Sequence, residues 1–200
     1  MFKERLLLLF VKNPVSGKVK TRLARTAGDE RALQVYKQLV HLTKKSAKQV
    51  NSARQVWYSS FIDQNDLFDG STFEKQLQEG DDLGERMRNA FSKSFEDGYQ
   101  SVVIIGSDCP ELDSATIEQA FDELKKSDVV IGPSVDGGYY LLGMNTFIAE
   151  IFEGIKWSSP EVLSQTKEIL NRSGYAFKEL HVLNDIDTEE DLNNSTFNYA

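Results

Sequence analysis

Cysteine, histidine and proline are scarce in this 200-residue chain, at one, two and four residues. The lone thiol, Cys109, excludes an intramolecular disulfide framework and a multi-cysteine zinc site. His41 and His181 carry no local signature of a nucleophile's partner, so Cys109 reads as a small buried side chain and not as a reactive one. Long apolar runs are missing too. The longest, Leu6 to Val11, falls far short of the ~20 residues that cross a bilayer. It also lies too near the N-terminus, with no small-residue cleavage site, to read as a signal peptide. No repeat, low-complexity tract or Pro/Gly/Ser linker divides the sequence. The expectation is one domain over residues 1–200, cytoplasmic and without a membrane span. A domain of this size buries roughly 70% of its unfolded surface and needs no disulfide or structural metal.

Positive charge is in overall deficit. The net charge is −8, which argues against nucleic acid or an anionic membrane as a general partner. Its distribution is uneven, because residues 1–28 carry a local +6 and the remainder −14. Between Arg5 and Gly28 no carboxylate interrupts the basic stretch. Such a patch suits one small anionic ligand.

Strands alternate with helices along the chain. Arg5–Val11 reads as a strand buried on both faces. A polar loop follows, then a helix from about Asp29 with Ala32, Val35, Tyr36 and Leu39 on one face. Further strands are expected at Gln55–Ser59, Val102–Ile105, Asp128–Gly132 and Tyr139–Leu142. Helices are expected through Leu83–Phe91 and Ile117–Leu124. Another should open at Ser159-Pro160, and a short last one at the Thr188-x-x-Asp191 capping box. His41 falls inside a helix and His181 in a late strand. The alternation predicts a three-layer α/β/α fold on a mostly parallel mixed sheet. In such sheets, ligands sit beyond the carboxyl ends of the strands.

Four segments fall in those positions. Lys12 to Arg22 follows the first strand; its N–H groups and cations could cradle phosphate, or it could be a solvated basic loop. It lacks the Walker A spacing of glycine and Ser/Thr. Gly106-Ser107-Asp108-Cys109-Pro110 offers Asp108 as a ligand for Mg²⁺, which takes one or two carboxylates plus phosphates; alternatively Asp108 caps the turn. In Gly132–Tyr140, Asp136 could orient a hydroxyl or act as general base, or the Asp-Gly could simply make a hairpin turn. Asp185-Ile186-Asp187 presents two carboxylates on one side, as a second metal ligand or as a solvated acidic turn. Gly80–Met87 is a loop-to-helix junction, and Trp157 suits a core better than a stacking platform.

Read in order, Phe10-x-Lys12-x-Pro14-x-x-Gly17-x-Val19-Lys20-Thr21-Arg22-Leu23, Asp82-Leu83-Gly84-x-Arg86-Met87, Gly106-Ser107-Asp108-x-Pro110 and Gly132-Pro133-x-x-Asp136-Gly137-Gly138-Tyr139 resemble a small bacterial glycosyltransferase-like family. That family belongs to the nucleotide-diphospho-sugar transferase superfamily, of GT-A fold. The resemblance implies a nucleotide whose phosphates meet Lys12, Gly17, Lys20 and Arg22, with Gln78, Leu83, Gly84 and Arg86 contacting the nucleotide. It implies Mg²⁺ or Mn²⁺ on Asp108 and Asp187, catalytic roles for Asp108 and Asp136, and a sugar or acceptor beside Gly137, Gly138 and Tyr139. The Asp-x-Asp of most glycosyltransferases is replaced by Asp108-Cys109-Pro110, a pattern nearer the single aspartate of nucleotidyltransferases. Despite that departure, the resemblance as a whole implies glycosyl transfer from a nucleotide-diphospho-sugar to a small-molecule acceptor. Nucleotidyl transfer from an NTP, or a non-catalytic nucleotide-binding module, stands as the alternative.

Overall fold

Four consecutive leucines set the centre of the molecule. In the computed structural model, which describes residues 3–197, Leu6 to Leu9 are completely buried. They lie in strand β1 (Lys3–Val11), and alternate side chains go to opposite faces of the sheet. Leu7, Leu9 and Val11 join one apolar cluster, while Leu6, Leu8 and Phe10 join another. Each such side chain contributes about 1.5–3 kcal/mol when fully buried. A strand buried on both faces requires helices above and below it.

Helices α1 (Thr21–Ala27) and α2 (Asp29–Gln49) follow, then strands β2 (Ala53–Tyr58) and β3 (Glu74–Leu77). Next come α3 (Leu83–Glu96), β4 (Tyr99–Ile105), α4 (Ser114–Glu123), β5 (Val129–Pro133) and β6 (Tyr139–Met144). A 3₁₀ turn at Ala149–Phe152 leads to α5 (Val162–Ser173), β7 (Phe177–Glu179) and α6 (Glu189–Asn194). The seven strands lie in the order β3-β2-β1-β4-β6-β5-β7. All neighbours are parallel except β6, which runs antiparallel to both β4 and β5. The result is the mixed α/β sheet that the pattern predicts. Residues of α2 and α4 pack on one face and those of α3 and α5 on the other.

Several elements differ from the sequence reading. A separate helix, α1, precedes the one expected from Asp29, with Gly28 at φ 84° dividing them. The Ser159-Pro160 pair forms a turn, and α5 begins at Val162 with Glu161 as its N-cap. Ser159 bonds locally, donating its hydroxyl to the Lys156 carbonyl at 2.7 Å, while Ser158 adopts φ 59°. Such local bonding by serine competes with helix. His181 lies just beyond β7 rather than in a strand. The edge strand β3 was not expected, since Glu-Lys-Gln-Leu shows no buried alternation, and the late strand expected at His181 lies earlier, as β7. By contrast, the Thr188/Asp191 capping box opens α6 as read.

The start of α3 is packed against the segment leading to α5. Asp82 accepts the Glu85 N–H at 2.8 Å, and Gly84 lies under the Trp157 indole. A Cβ at Gly84 would fall 2.0 Å from Trp157 ring atoms. Gly84→Ala must therefore displace Trp157, and the expected loss is about 1–3 kcal/mol, the usual range for overpacking. Urea unfolding monitored by tryptophan fluorescence checks this; an unchanged midpoint would show that the indole yields freely.

Candidate active site

The loop after β1 is held from two directions. Asn13 is buried; its side-chain amide donates to the Phe61 carbonyl at 2.8 Å, and its side-chain oxygen accepts the Ser60 N–H at 3.0 Å. From below, the buried Tyr36 hydroxyl of α2 accepts the Lys12 N–H at 2.7 Å and lies 3.1 Å from the Ser107 hydroxyl. One phenol thus joins the loops that follow β1 and β4. Burial, reinforced by Asp108, raises the Tyr36 pKa, so it stays protonated.

The loop ends at Lys20, which caps α1 in the left-handed conformation at φ 47°. Its side chain is 3% exposed, and Nζ lies 2.5 Å from Asp108 Oδ1 and 2.9 Å from Asp187 Oδ1. Burial works against the ammonium, but the two carboxylates outweigh it and raise the Lys20 pKa. Arg22, on the exposed side, places Nη1 3.6 Å from Asp187 Oδ2. Burial pushes Asp187 up, yet Lys20, then Arg22 and Lys12, hold it below the ordinary carboxylate value. The Asp187 segment is fastened to the turn after β4, because the Ile186 N–H donates to the Asp108 carbonyl at 2.9 Å. Beside them, burial and then the Asp108 charge push Asp185 up to about 7, with Lys20 opposing and Asp136 and Asp187 adding to the rise. Burial similarly raises the Cys109 thiol to about 12, consistent with an inert side chain.

These groups line one end of a cavity of about 660 Å³ at the carboxyl ends of the central strands. Lys12, Arg22, Asp108, Asp185 and Asp187 form the charged end. Phe10, Val11, Gln78 and Leu83 also line it, as do Asp136, Gly138, Tyr139 and Trp157–Pro160. Lys20 joins the charged end in a small adjoining recess of about 110 Å³. Asp136 makes a tight turn, accepting the Gly138 N–H at 3.0 Å and the Ser134 hydroxyl on Oδ1. Gln78 donates its amide to the Trp57 carbonyl at 2.8 Å.

Other candidates from the sequence fall outside the cavity lining. Gly17, at φ 72°, shapes the exposed basic loop. Gly84 lies behind Trp157, and Arg86 Nε donates to the Gly80 carbonyl at 2.9 Å, bracing the turn before α3. Gly137, at φ 87°, is pressed against the Pro160 carbonyl, where a Cβ would come within 2.2 Å. Tyr36 and the Trp157–Ser159 wall were missed as site components; no local motif marks them.

The carboxylates can be tested against a divalent ion. Asp108 and Asp187 are oxygen donors with 39% and 38% side-chain exposure. Among the described residues, no three His, Cys, Asp or Glu side chains converge to hold a metal. The donor set therefore fits an Mg²⁺-like ion completed by phosphate and water, and not an all-protein cage.

Asp185 gives this arrangement a pH dependence. Between about pH 4 and pH 7 the folded chain keeps a proton that the unfolded chain has released, so this group's contribution is complete at low pH and is lost as pH rises through about 7. Asp185→Asn removes that slope. In a chelator, urea unfolding should show the variant gaining on the wild type between pH 5 and 8, by on the order of 2–3 kcal/mol at about 1.4 kcal/mol per unit over the roughly two units below pH 7. Parallel curves would show that Asp185 ionises as an ordinary aspartate.

Comparison with known proteins agrees with this fold. The family described as "Uncharacterized protein conserved in bacteria (DUF2064)" matches residues 42–159. No curated protein matches the chain. A crystal structure from Desulfovibrio desulfuricans G20, provisionally named a nucleotide-diphospho-sugar transferase, is 35% identical with a TM-score of 0.87 and covers 96% of this chain and 89% of its own. The inositol-1-phosphate CTP transferase of T. maritima shares the fold at 16% identity and a TM-score of 0.59, covering 96% and 92%. A manganese complex of a Mycobacterium tuberculosis H37Rv protein does so at 12% and 0.57, covering 96% of both chains. The fold is thus that of the nucleotide-diphospho-sugar transferases and nucleotidyltransferases, as the order of motifs implied. By the residues matched, more than half of its length, the chain belongs to the DUF2064 family.

Proposed function

We propose that this protein is a transferase that takes a nucleotide-diphospho-sugar and passes the sugar to a small-molecule acceptor. The observation that carries the reading is a single cavity at the strand ends lined together by Lys12, Arg22, Asp108 and Asp187, by Gln78 and Leu83, and by Asp136, Gly138 and Tyr139. Phosphates suit the charged end, where Lys12 and Arg22 face the cavity and Arg22 is 61% exposed. The nucleobase suits Gln78 and Leu83: with the Gln78 amide committed to Trp57, its oxygen is left to accept from a base N–H. The resemblance implied a sugar or acceptor beside Gly137, Gly138 and Tyr139; of these, Gly138 and Tyr139 line the cavity, together with Asp136. Asp136 Oδ1 is fixed by the turn, so Oδ2 can orient an acceptor hydroxyl and receive its proton. Lys12 and Arg22 offset charge developing on the departing diphosphate.

Mg²⁺ or Mn²⁺ would be held by Asp108 and Asp187 with the diphosphate, and would supply further positive charge to that leaving group. The relationship to the Desulfovibrio protein supports glycosyl transfer. A second reading, nucleotidyl transfer from an NTP to a phosphorylated precursor, is favoured by one specific observation. The Asp108-Cys109-Pro110 turn supplies a single carboxylate in place of Asp-x-Asp, and Lys20 occupies the space beside it.

Calorimetric titration of nucleotide-diphospho-sugars and NTPs, with and without Mn²⁺, tests these readings. Metal-stimulated binding confined to nucleotide-sugars is expected; the same behaviour confined to NTPs moves the assignment to nucleotidyl transfer. Asp108→Asn should keep its fold, since Asp187 still pairs Lys20 and the amide oxygen can accept from Nζ, but should lose the metal-stimulated component. If that component persists, the metal assignment is wrong. Arg22→Ala should weaken a nucleoside diphosphate by about tenfold, or ~1.4 kcal/mol, while leaving the bare nucleoside unaffected. Its removal should also flatten the salt dependence, because exposed charges are screened over ~8 Å at physiological ionic strength. Equal losses for nucleoside and diphosphate would instead make Arg22 a pocket-shaping residue.

A further inference from the structure

The two carboxylates assigned to a metal are already bridged by a cation belonging to the chain. Lys20 Nζ contacts one oxygen of each, at 2.5 Å on Asp108 and 2.9 Å on Asp187. The bridge is built rather than incidental. Lys20 is 3% exposed at its side chain, its backbone is fixed at φ 47°, and its carbonyl accepts the Ala24 N–H at 2.8 Å as α1 begins. The lysine therefore has little room to swing into water. Arg22 approaches the second oxygen of Asp187, and Lys12 lines the same recess.

A bare divalent ion meets an unfavourable site here. It must either displace the ammonium from both inner oxygens or bind the outer oxygens beside a fixed positive charge. The negative charges of Asp108 and Asp187 are matched by Lys20 and Arg22, with Lys12 adding a further cation and Asp185 a neighbouring carboxyl. Nor does any third ligand converge among the described residues. A polyphosphate changes both conditions, because its oxygens complete the coordination shell and its charge attracts Lys12, Lys20 and Arg22.

We infer that Lys20 keeps a divalent ion off the Asp108–Asp187 pair until a polyphosphate arrives, so that metal and nucleotide enter the site together. This rests on the metal reading proposed above. Lys20 is then a positioning residue, and its effect is on metal occupancy before any chemistry occurs.

The test is titration of Mn²⁺ against the full chain, with free Mn²⁺ read by electron paramagnetic resonance. Wild-type protein is expected to bind Mn²⁺ alone weakly and to bind it much more tightly once inorganic pyrophosphate is present. Lys20→Met should bind Mn²⁺ alone more tightly than wild type, by about 10–100-fold, the range in which groups contacting metal ligands tune affinity. A purely structural lysine would not produce that gain, so equal or weaker binding by a folded Lys20→Met overturns the inference. If the variant does not fold, the wild type decides: tight binding of Mn²⁺ alone that Asp108→Asn abolishes overturns the ordering while leaving the metal site in place. Pyrophosphate-dependent Mn²⁺ binding that survives Asp108→Asn removes the metal assignment itself, and the inference with it.

Discussion

A buried ammonium between two carboxylates is the constraint around which the strand-end loops are arranged. Lys20 comes from the loop after β1, Asp108 from the turn after β4, and Asp187 from the segment before α6. Each carboxylate retains access to the cavity, so water screens part of the attraction. The lysine has no such recourse. An unpartnered charge at its depth would cost several kcal/mol, so the carboxylates must lie where they do for the loop to close. The left-handed backbone at Lys20 adds about 1–3 kcal/mol of strain for a residue that is not glycine, which the two ion pairs offset.

The sheet makes this meeting possible. Parallel pairing of β1 with β4 brings their carboxyl ends side by side, and Tyr36 then ties the two emerging loops through one hydroxyl. Reversing β6 places Tyr140 so that its carbonyl accepts the Gly106 N–H at 3.2 Å, linking the Asp136 turn region to the Asp108 turn. Apolar burial on both faces supplies the driving force, while a small number of polar atoms set the registry at the sheet's edge.

Much of this was legible in the sequence because its signals are local. Leu6–Val11 and Val102–Ile105 are apolar runs bounded by polar loops, and the Thr188 capping box lies within four residues. Asp108 and Asp136 could be placed in strand-end segments, and Asp187 just before a helix cap, for the same reason. What could not be read depends on contacts between distant residues. β3 is an edge strand held by β2, with little burial of its own. Arg86 resembled a ligand contact in its motif, yet it braces the Gly80 carbonyl. Gly84 and Gly137 are needed where Trp157 and Pro160 press against the backbone. Asp185 shares its alternation with Asp187, but its raised pKa comes from depth and neighbouring carboxylates that no sequence window contains.

The bond from Ile186 to the Asp108 carbonyl has a consequence for the order in which the molecule is made. Lys20 and Asp187 stand 167 residues apart in the chain, and synthesis proceeds at about 5–20 residues per second. Roughly ten to thirty seconds therefore separate the emergence of the ammonium from that of its second partner. During that interval the basic loop has no Asp187 to close upon, and Ile186 is not yet present to complete the apolar cluster of Leu23, Leu39 and Leu192. The sheet's centre can assemble earlier, since β1, β2 and β4 are all translated before α4. Completion of the charged recess thus waits for residues 185–187, and until they are made Lys20 has at most one of its two carboxylate partners.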